Sequence, residues 1–330
     1  MSRETEFELI SQFLAPLTNG YEGAFDLRDD AAVIDGGSYV LSKDVLIEGV
    51  HFLKSDPASL VSKKALRVNL SDLAAMGAKP LFAMLGISWQ KGVKTSYLRD
   101  CLSGLREDLS SYKVSLLGGD TTMHRLPTAP LTLSVTIIGE PPKQGVIRRN
   151  GAHKGDDVYV TGVVGDAGLG LAALTKREKF SAADRSYFAG KYQCPTPRIA
   201  FGGAIAGIAT SCIDVSDGLI ADARHIGSAS GAKLKIWMPK IPASPQAMAW
   251  LEKQDDGIER AIELASAGDD YELLFTAPPS RRRAVEMAGQ LTRTPVTKIG
   301  VVESGEGVCL VDENDAQLPV KGAGYDHFAS

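Results

Sequence analysis

At 330 residues the chain is too long for one ordinary hydrophobic core, which favours two domains, each large enough to bury a core unaided. Its 44% hydrophobic and 23% charged content is ordinary for a globular protein, and a net charge of −4 argues against general nucleic-acid binding, which draws on clustered Lys and Arg. Cys101, Cys194, Cys212 and Cys309 lie far apart with no Cys-x-x-Cys spacing, which disfavours both a zinc site and a disulfide framework. The polar, acidic start from Met1 to Glu8 is unlike a signal peptide, and no run approaches the roughly 20 apolar residues that span a bilayer. A reducing cytoplasm is therefore the expected setting, with no membrane partner.

Short apolar or alternating runs bounded by Gly, Pro or Asp predict strands near 39–41, 82–87, 114–117 and 131–138. Residues 57–76 carry Leu60, Val61, Ala65, Val68, Leu73 and Met76 near helical spacing, with Gly77 and Pro80 as a stop. A second amphipathic helix is expected over about 96–112. The paired Pro141 and Pro142 can continue neither a ladder nor a helix, so the boundary is placed there, between domains 1–141 and 146–330. Beyond it, strands are expected over 157–164, 271–276 and 296–302, and helices over 216–229 and 281–291. Strands and helices alternate in both halves, which gives an α/β or mixed α+β class. No solenoid-type repeat interrupts the pattern.

Six aspartates, Asp30, Asp44, Asp72, Asp120, Asp214 and Asp217, stand in short motifs rich in small residues, each expected near the end of an element. A lone Asp at such a place is most often a turn former or a cap. Asp217, beside Ser216 and ahead of an apolar helix, fits that role well. Asp72 does not, because it lies inside a predicted helix, where Asp is a poor helix former, on one face with Asn69. Gly118-Gly119-Asp120 lets the backbone approach a ligand closely, and Asp214 and Asp217 sit beside a helix N-terminus that favours an anion. Two like charges about 4 Å apart repel by about 4 kcal/mol at an effective dielectric of about 20. Carboxylates that converge therefore need cations, and hard oxygen ligands of this kind suit Mg²⁺, completed by substrate phosphates. No Walker motif and no kinase-type His-Arg-Asp or Asp-Phe-Gly occurs. Gly165 to Gly170 is glycine-rich, but a structural turn that opens a helix is the expected reading there.

Taken together and in order, these motifs resemble the thiamine-monophosphate kinases, in the superfamily of aminoimidazole-ribonucleotide synthetase. Besides the aspartate motifs, the resemblance rests on Gly49-Val50-His51-Phe52, Asn69 to Ala78, Arg149-Asn150-Gly151-Ala152, Asp270-Tyr271-Glu272-Leu273 and Gly324 to Phe328. It implies a two-domain fold and a homodimer whose N-terminal domains join strands into a β-barrel. It also implies Mg²⁺-dependent transfer of the γ-phosphoryl group of ATP to thiamine monophosphate, the last step in making thiamine diphosphate. By position, Asp30, Ser42, Asp44, Asp72, Asp120, Asp214 and Asp217 match metal ligands. Gly119, Asp120, Arg149 and Ser216 match ATP contacts, and His51, Asp269 and Tyr325 match substrate contacts. Two positions depart from the pattern: Lys43 replaces a usual Thr, and Asp269 replaces a usual Glu. The acceptor phosphate is already ionised near neutral pH, so no covalent nucleophile and no general base is expected.

Overall fold

The computed structural model describes residues 22–30, 32–34 and 37–319. Two sheets organise them. In the first, β1 (Ala32–Ile34), β2 (Tyr39–Ile47), β3 (Lys79–Trp89), β4 (Ser115–Met123) and β5 (Thr132–Glu140) take the order β1-β2-β5-β3-β4. All neighbours are antiparallel except β3 and β4. Helices α1 (Ala58–Ala75) and α2 (Thr95–Ser111) pack beside this sheet.

The second half contributes β6 (Asp157–Thr161), α3 (Asp166–Leu174), α4 (Ala182–Gln193), α5 (Ile199–Ile205), β7 (Ser211–Asp214), α6 (Leu219–Ser230) and β8 (Lys233–Trp237). It continues with α7 (Pro245–Leu251), α8 (Gly257–Ser266), β9 (Leu273–Ala277), α9 (Arg282–Thr292), β10 (Val296–Glu303) and β11 (Gly307–Val311). Its sheet order is β11-β8-β10-β6-β9-β7. Both sheets carry antiparallel and parallel pairs, so the class is mixed α/β, as the alternation predicts.

Strand periodicity sorts the first sheet into two faces. Val40, Leu46, Leu133, Val135 and Ile137 are buried in the core formed with α1 and α2. Lys43, Val45 and Met84 lie on the other side and are exposed. Helix α1 is buried over most of its surface because it lies between the halves. It touches β2 and β5 on one side and α5 and β7 on the other, and its Ala74 and Ala75 join Phe201 and Ile205 in a shared cluster. Its polar Ser62, Lys64, Asn69 and Ser71 are buried along with its apolar residues, the counterpart in sequence of a helix covered on several sides.

Several boundaries differ from the sequence expectation. Asp44 and Asp120 lie in the middle of β2 and β4, which run longer than their apolar segments. β4 carries no apolar alternation of its own, and its pairing with β3 makes it a strand. Gly119 allows that pairing at φ 156°, where a Cβ would fall 1.8 Å from the Leu85 carbonyl oxygen. β9 begins at Leu273 rather than Tyr271, since Asp269 and Tyr271 have left-handed backbones, φ 70° and 50°. The glycine-rich run from Gly165 opens α3, as expected.

Candidate active site

Three elements and the segment before β1 deliver carboxylates to one place. Ser42 and Asp44 project from the helix-covered face of β2, Asp72 comes from α1, Asp214 ends β7, and Asp30 lies just before β1. Carboxylate oxygens of Asp30, Asp72 and Asp214 all lie within 4.8 Å of one another. The Ser42 hydroxyl donates to Asp72 and lies 3.2 Å from the Asp30 carbonyl oxygen. Asn69, one turn before Asp72, accepts from the Asp44 backbone N–H at 3.1 Å.

This cluster is short of positive charge. Burial and the Asp30 charge push the Asp44 carboxyl up to about 6. Burial, then Asp44 and Asp214, raises Asp72, and burial with Asp30 raises Asp214. Arg149 forks onto Asp30 through Nε and Nη2, with a side chain 19% exposed. Its backbone N–H donates to Asp29 at 2.8 Å, and Asp29 also accepts from Arg148 Nε at 3.0 Å. One guanidinium among four carboxylates leaves room for divalent cations. The hard-oxygen donor set fits Mg²⁺.

The turn from β7 into α6 forms the adjoining wall. Buried Asp222 accepts the backbone N–H groups of Ser216 at 3.1 Å and Asp217 at 3.2 Å. The N-cap position of α6 is Gly218, at φ 110°, one residue after Asp217. A Cβ on Gly218 would lie 2.4 Å from the Ser266 carbonyl oxygen, so only glycine allows α6 to approach α8 this closely. Ligand atoms of Asp217, Asp222 and His225 also lie within 4.8 Å of one another. His225 is pushed down to about 4 by burial and by Arg149, which keeps it neutral.

A cavity of about 770 Å³ opens beside both groups, lined by Asp44, His51, Ser216, Asp217, Asp269 and Tyr271 among others. His51 Nδ1 accepts from the Ile47 backbone N–H at 3.0 Å, which leaves Nε2 as the protonated nitrogen of the neutral ring. Lys64, with a side chain 2% exposed, organises this wall. Its ammonium lies 2.9 Å from Asp269, 2.9 Å from the His51 carbonyl oxygen and 3.8 Å from the centre of the Tyr192 ring.

The structure thus gathers Asp30, Ser42, Asp44, Asp72 and Asp214, with Arg149 on their rim and Ser216, Asp217, His51 and Asp269 on the cavity. Gly119 and Asp120 are not gathered. Asp44 pairs with Val135, Val135 with Leu85 and Leu85 with Gly119, which places Gly119 three strands away, about 14 Å along the sheet. Tyr325 lies outside the described residues. Lys43, one of the two departures, turns to the exposed face and donates to Ser134 at 2.6 Å, and its charge works against the rise of the Asp44 carboxyl. Asp270 accepts the N–H groups of Gly165 and Ala167, and Glu272 is held by Thr161 and Arg198, so these two residues of the motif brace the fold. Sequence reasoning missed Lys64 and Asp222. The available signals were a lysine eight residues before Asp72 on the same helical stripe, and Asp222 three residues before His225.

Three comparisons place this architecture. The family model "AIR synthase related protein, N-terminal domain" matches residues 28–140, which span the first sheet. Thiamine-monophosphate kinases of Caulobacter vibrioides and Salmonella typhimurium are 40% and 38% identical to this chain over 307 and 336 residues. The alignments cover 92% and 98% of this chain and 86% and 98% of the relatives. A solved structure described as AaThiL complexed with AMPPCP and TMP matches at a TM-score of 0.84 and 31% identity, over 98% of this chain and 97% of that one. The chain belongs to the thiamine-monophosphate kinase family of ATP-using phosphotransferases.

Proposed function

We propose that the chain catalyses Mg²⁺-dependent, in-line transfer of the γ-phosphoryl group of ATP to the phosphate of thiamine monophosphate, giving thiamine diphosphate and ADP. The observation that carries this reading is the set of like-charged carboxylates from both halves, underneutralised and set beside a cavity. Asp30, Ser42, Asp44, Asp72, Asp214 and Asp217 would hold Mg²⁺, which would supply positive charge to offset that of the transferring phosphoryl group.

The chain's own residues position the reactants. Arg149 keeps guanidinium N–H groups beyond those on Asp30 and can fork onto a nucleotide phosphate. Ser216 stands at the turn where Asp222 fixes the backbone. His51 and Asp269, both tied to Lys64, face the acceptor side, and Tyr325 is assigned there by family position. No side chain is asked to act as nucleophile or base, because the acceptor oxygen is already ionised.

The assignment of Gly119 and Asp120 to ATP and metal goes with a homodimer. Every residue of edge strand β4 is exposed, and Leu116, Leu117 and Met123 show large apolar side chains. An edge with no further strand among the described residues invites a second copy, and closure into a barrel would bring β4 toward a neighbouring site. The same reading makes 1–141 the metal, ATP and dimerisation domain and 146–330 the domain that completes the site.

The test is ADP formation from ATP and Mg²⁺ with thiamine monophosphate, following thiamine diphosphate by chromatography and using free thiamine as control. Product from the monophosphate alone is expected. ATP binding without product would overturn the reading. Sedimentation equilibrium checks the dimer, with a monomer at micromolar concentration as the contrary result.

A further inference from the structure

The stretch from Tyr192 to Arg198, which ends α4 and leads into α5, is bonded to two separate segments that border the cavity. One is the turn 48–56 between β2 and α1, which carries His51. The Tyr192 hydroxyl donates to the His51 carbonyl oxygen at 3.3 Å, and Gln193 Nε2 donates to Asp56 Oδ1 at 2.6 Å. Asp56 is 5% exposed, and its Oδ2 accepts the Leu53 backbone N–H at 2.7 Å. One buried carboxylate therefore closes the turn and docks it on α4. The other segment is 269–272. Arg198 forks onto Glu272 at 2.6 and 2.5 Å. The backbones of Asp269, Tyr271 and Glu272 bond in turn to Val215 and Ser216, on the turn before α6.

Between these anchors the stretch is stiff. Pro195 and Pro197 are buried and each fixes a backbone φ angle. The Pro195 carbonyl oxygen accepts from Arg67 Nη1 at 2.9 Å, and the same guanidinium forks onto Asp108. A stiff connection bonded at both ends sets the spacing of what it holds. We propose that Gln193 and Asp56 are a positioning pair, which holds the His51 turn in register with the Asp214–Asp217 turn of the other half. Neither side chain is among those that line the cavity, so both act through the backbone of the turn. Phosphoryl transfer depends on alignment, and a displacement of about 1 Å far from the reacting atoms can cost about 100-fold. The inference rests on the acceptor reading above and deepens it.

The test is steady-state kinetics of the full-length protein, with each substrate varied in turn. Gln193→Glu sets a second carboxylate against Asp56 and should lower kcat/KM for thiamine monophosphate by about 10- to 100-fold, with KM for ATP within about twofold of wild type. Gln193→Ala, which removes the bond without adding charge, should lower it by about three- to tenfold. Adding Asp56→Asn to Gln193→Glu should bring kcat/KM back to within about threefold of wild type. The new carboxamide at 56 can accept from Leu53 and donate to the new carboxylate at 193. A merely structural role would lower the melting temperature without splitting the two KM values. Unchanged kcat/KM in both single variants, an equal rise in both KM values, or a double variant no better than Gln193→Glu overturns the pair's role.

Hydrogen–deuterium exchange without substrates separates this inference from the reaction. Amides within 48–56 should exchange about tenfold faster in Gln193→Glu than in the wild type, and the double variant should restore them. A wild type without turnover sinks the proposed reaction and leaves the tie to be judged by exchange. Exchange unaltered in Gln193→Glu sinks the tie whatever the turnover.

Discussion

Buried carboxylates in this molecule fall into two sets with opposite electrostatics. Asp157, at the start of β6, meets Arg282 at 2.5 and 2.9 Å, Lys298 at 2.5 Å and the Tyr159 hydroxyl at 3.2 Å. Burial alone would raise its pKa, but hydrogen bonds from Arg282 and Lys298 outweigh burial and bring it down to about 2. Asp44 has no such partners and stands at about 6, with Asp72 and Asp214 raised alongside it. The first set is neutralised by the chain itself and needs nothing from outside. The second keeps unbalanced negative charge, which under the proposed reading cations would offset.

The comparison breaks first at Asp72. Asp72→Asn should leave a folded protein whose phosphoryl transfer falls about 10³-fold or more, since charge stabilisation is most of what such a site supplies. It should also melt higher than the wild type without metal, because one repelling charge is gone. With Mg²⁺ and ATP present the order should reverse, because ligand binding stabilises only a site that binds. Full activity at limiting Mg²⁺, or a lower metal-free Tm, would contradict the cluster's role.

Lys64 belongs to neither set and sharpens the contrast, being a buried cation placed to hold the cavity wall rather than to neutralise the cluster. Lys64→Met should cost about 2–3 kcal/mol, because Asp269 loses its partner and the His51 carbonyl loses a donor. Urea unfolding reads the stability. KM for thiamine monophosphate should rise in the same variant while KM for ATP changes little.

Much of this architecture is legible in the sequence, and the exceptions have physical causes. Helix α1 announces itself through apolar spacing, and Asp72 through its unsuitability there. The carboxylates were found as a set because each sits in a short motif of small residues. Their meeting point was not readable, since it depends on α1 lying between two sheets that are far apart in the chain. Asp44 and Asp120 looked like neighbours of strand ends because β2 turns polar where it passes the site and β4 turns polar after Leu117, and periodicity fades at both places. Lys64 and Asp222 act on backbone groups of other segments, a role no local motif records. Asp56 and Gln193 are 137 residues apart and meet only in the folded chain.

The smallest effect is the most direct test of the two-set view, because it asks for opposite pH profiles from one kind of substitution. Asp157 has a lowered pKa in the fold, so its contribution is present above the usual carboxylate value and is lost as pH falls toward 2. Arg282 is 52% exposed and solvent screens it, so Asp157→Asn should cost about 1–2 kcal/mol near neutral pH. That deficit should close as pH falls from about 4 to about 2. Asp44 is the reverse case. Its raised pKa makes ionisation unfavourable, so in metal-free protein the wild type loses stability as pH rises through about 6. Asp44→Asn should match the wild type near pH 4 and exceed it by about 1–2 kcal/mol above pH 7. Denaturant unfolding of both variants between pH 3 and 8, with chelator present, should give difference curves of opposite sign. Curves of the same sign would mean that the cluster is neutralised within the chain, and the distinction between the two sets would fail.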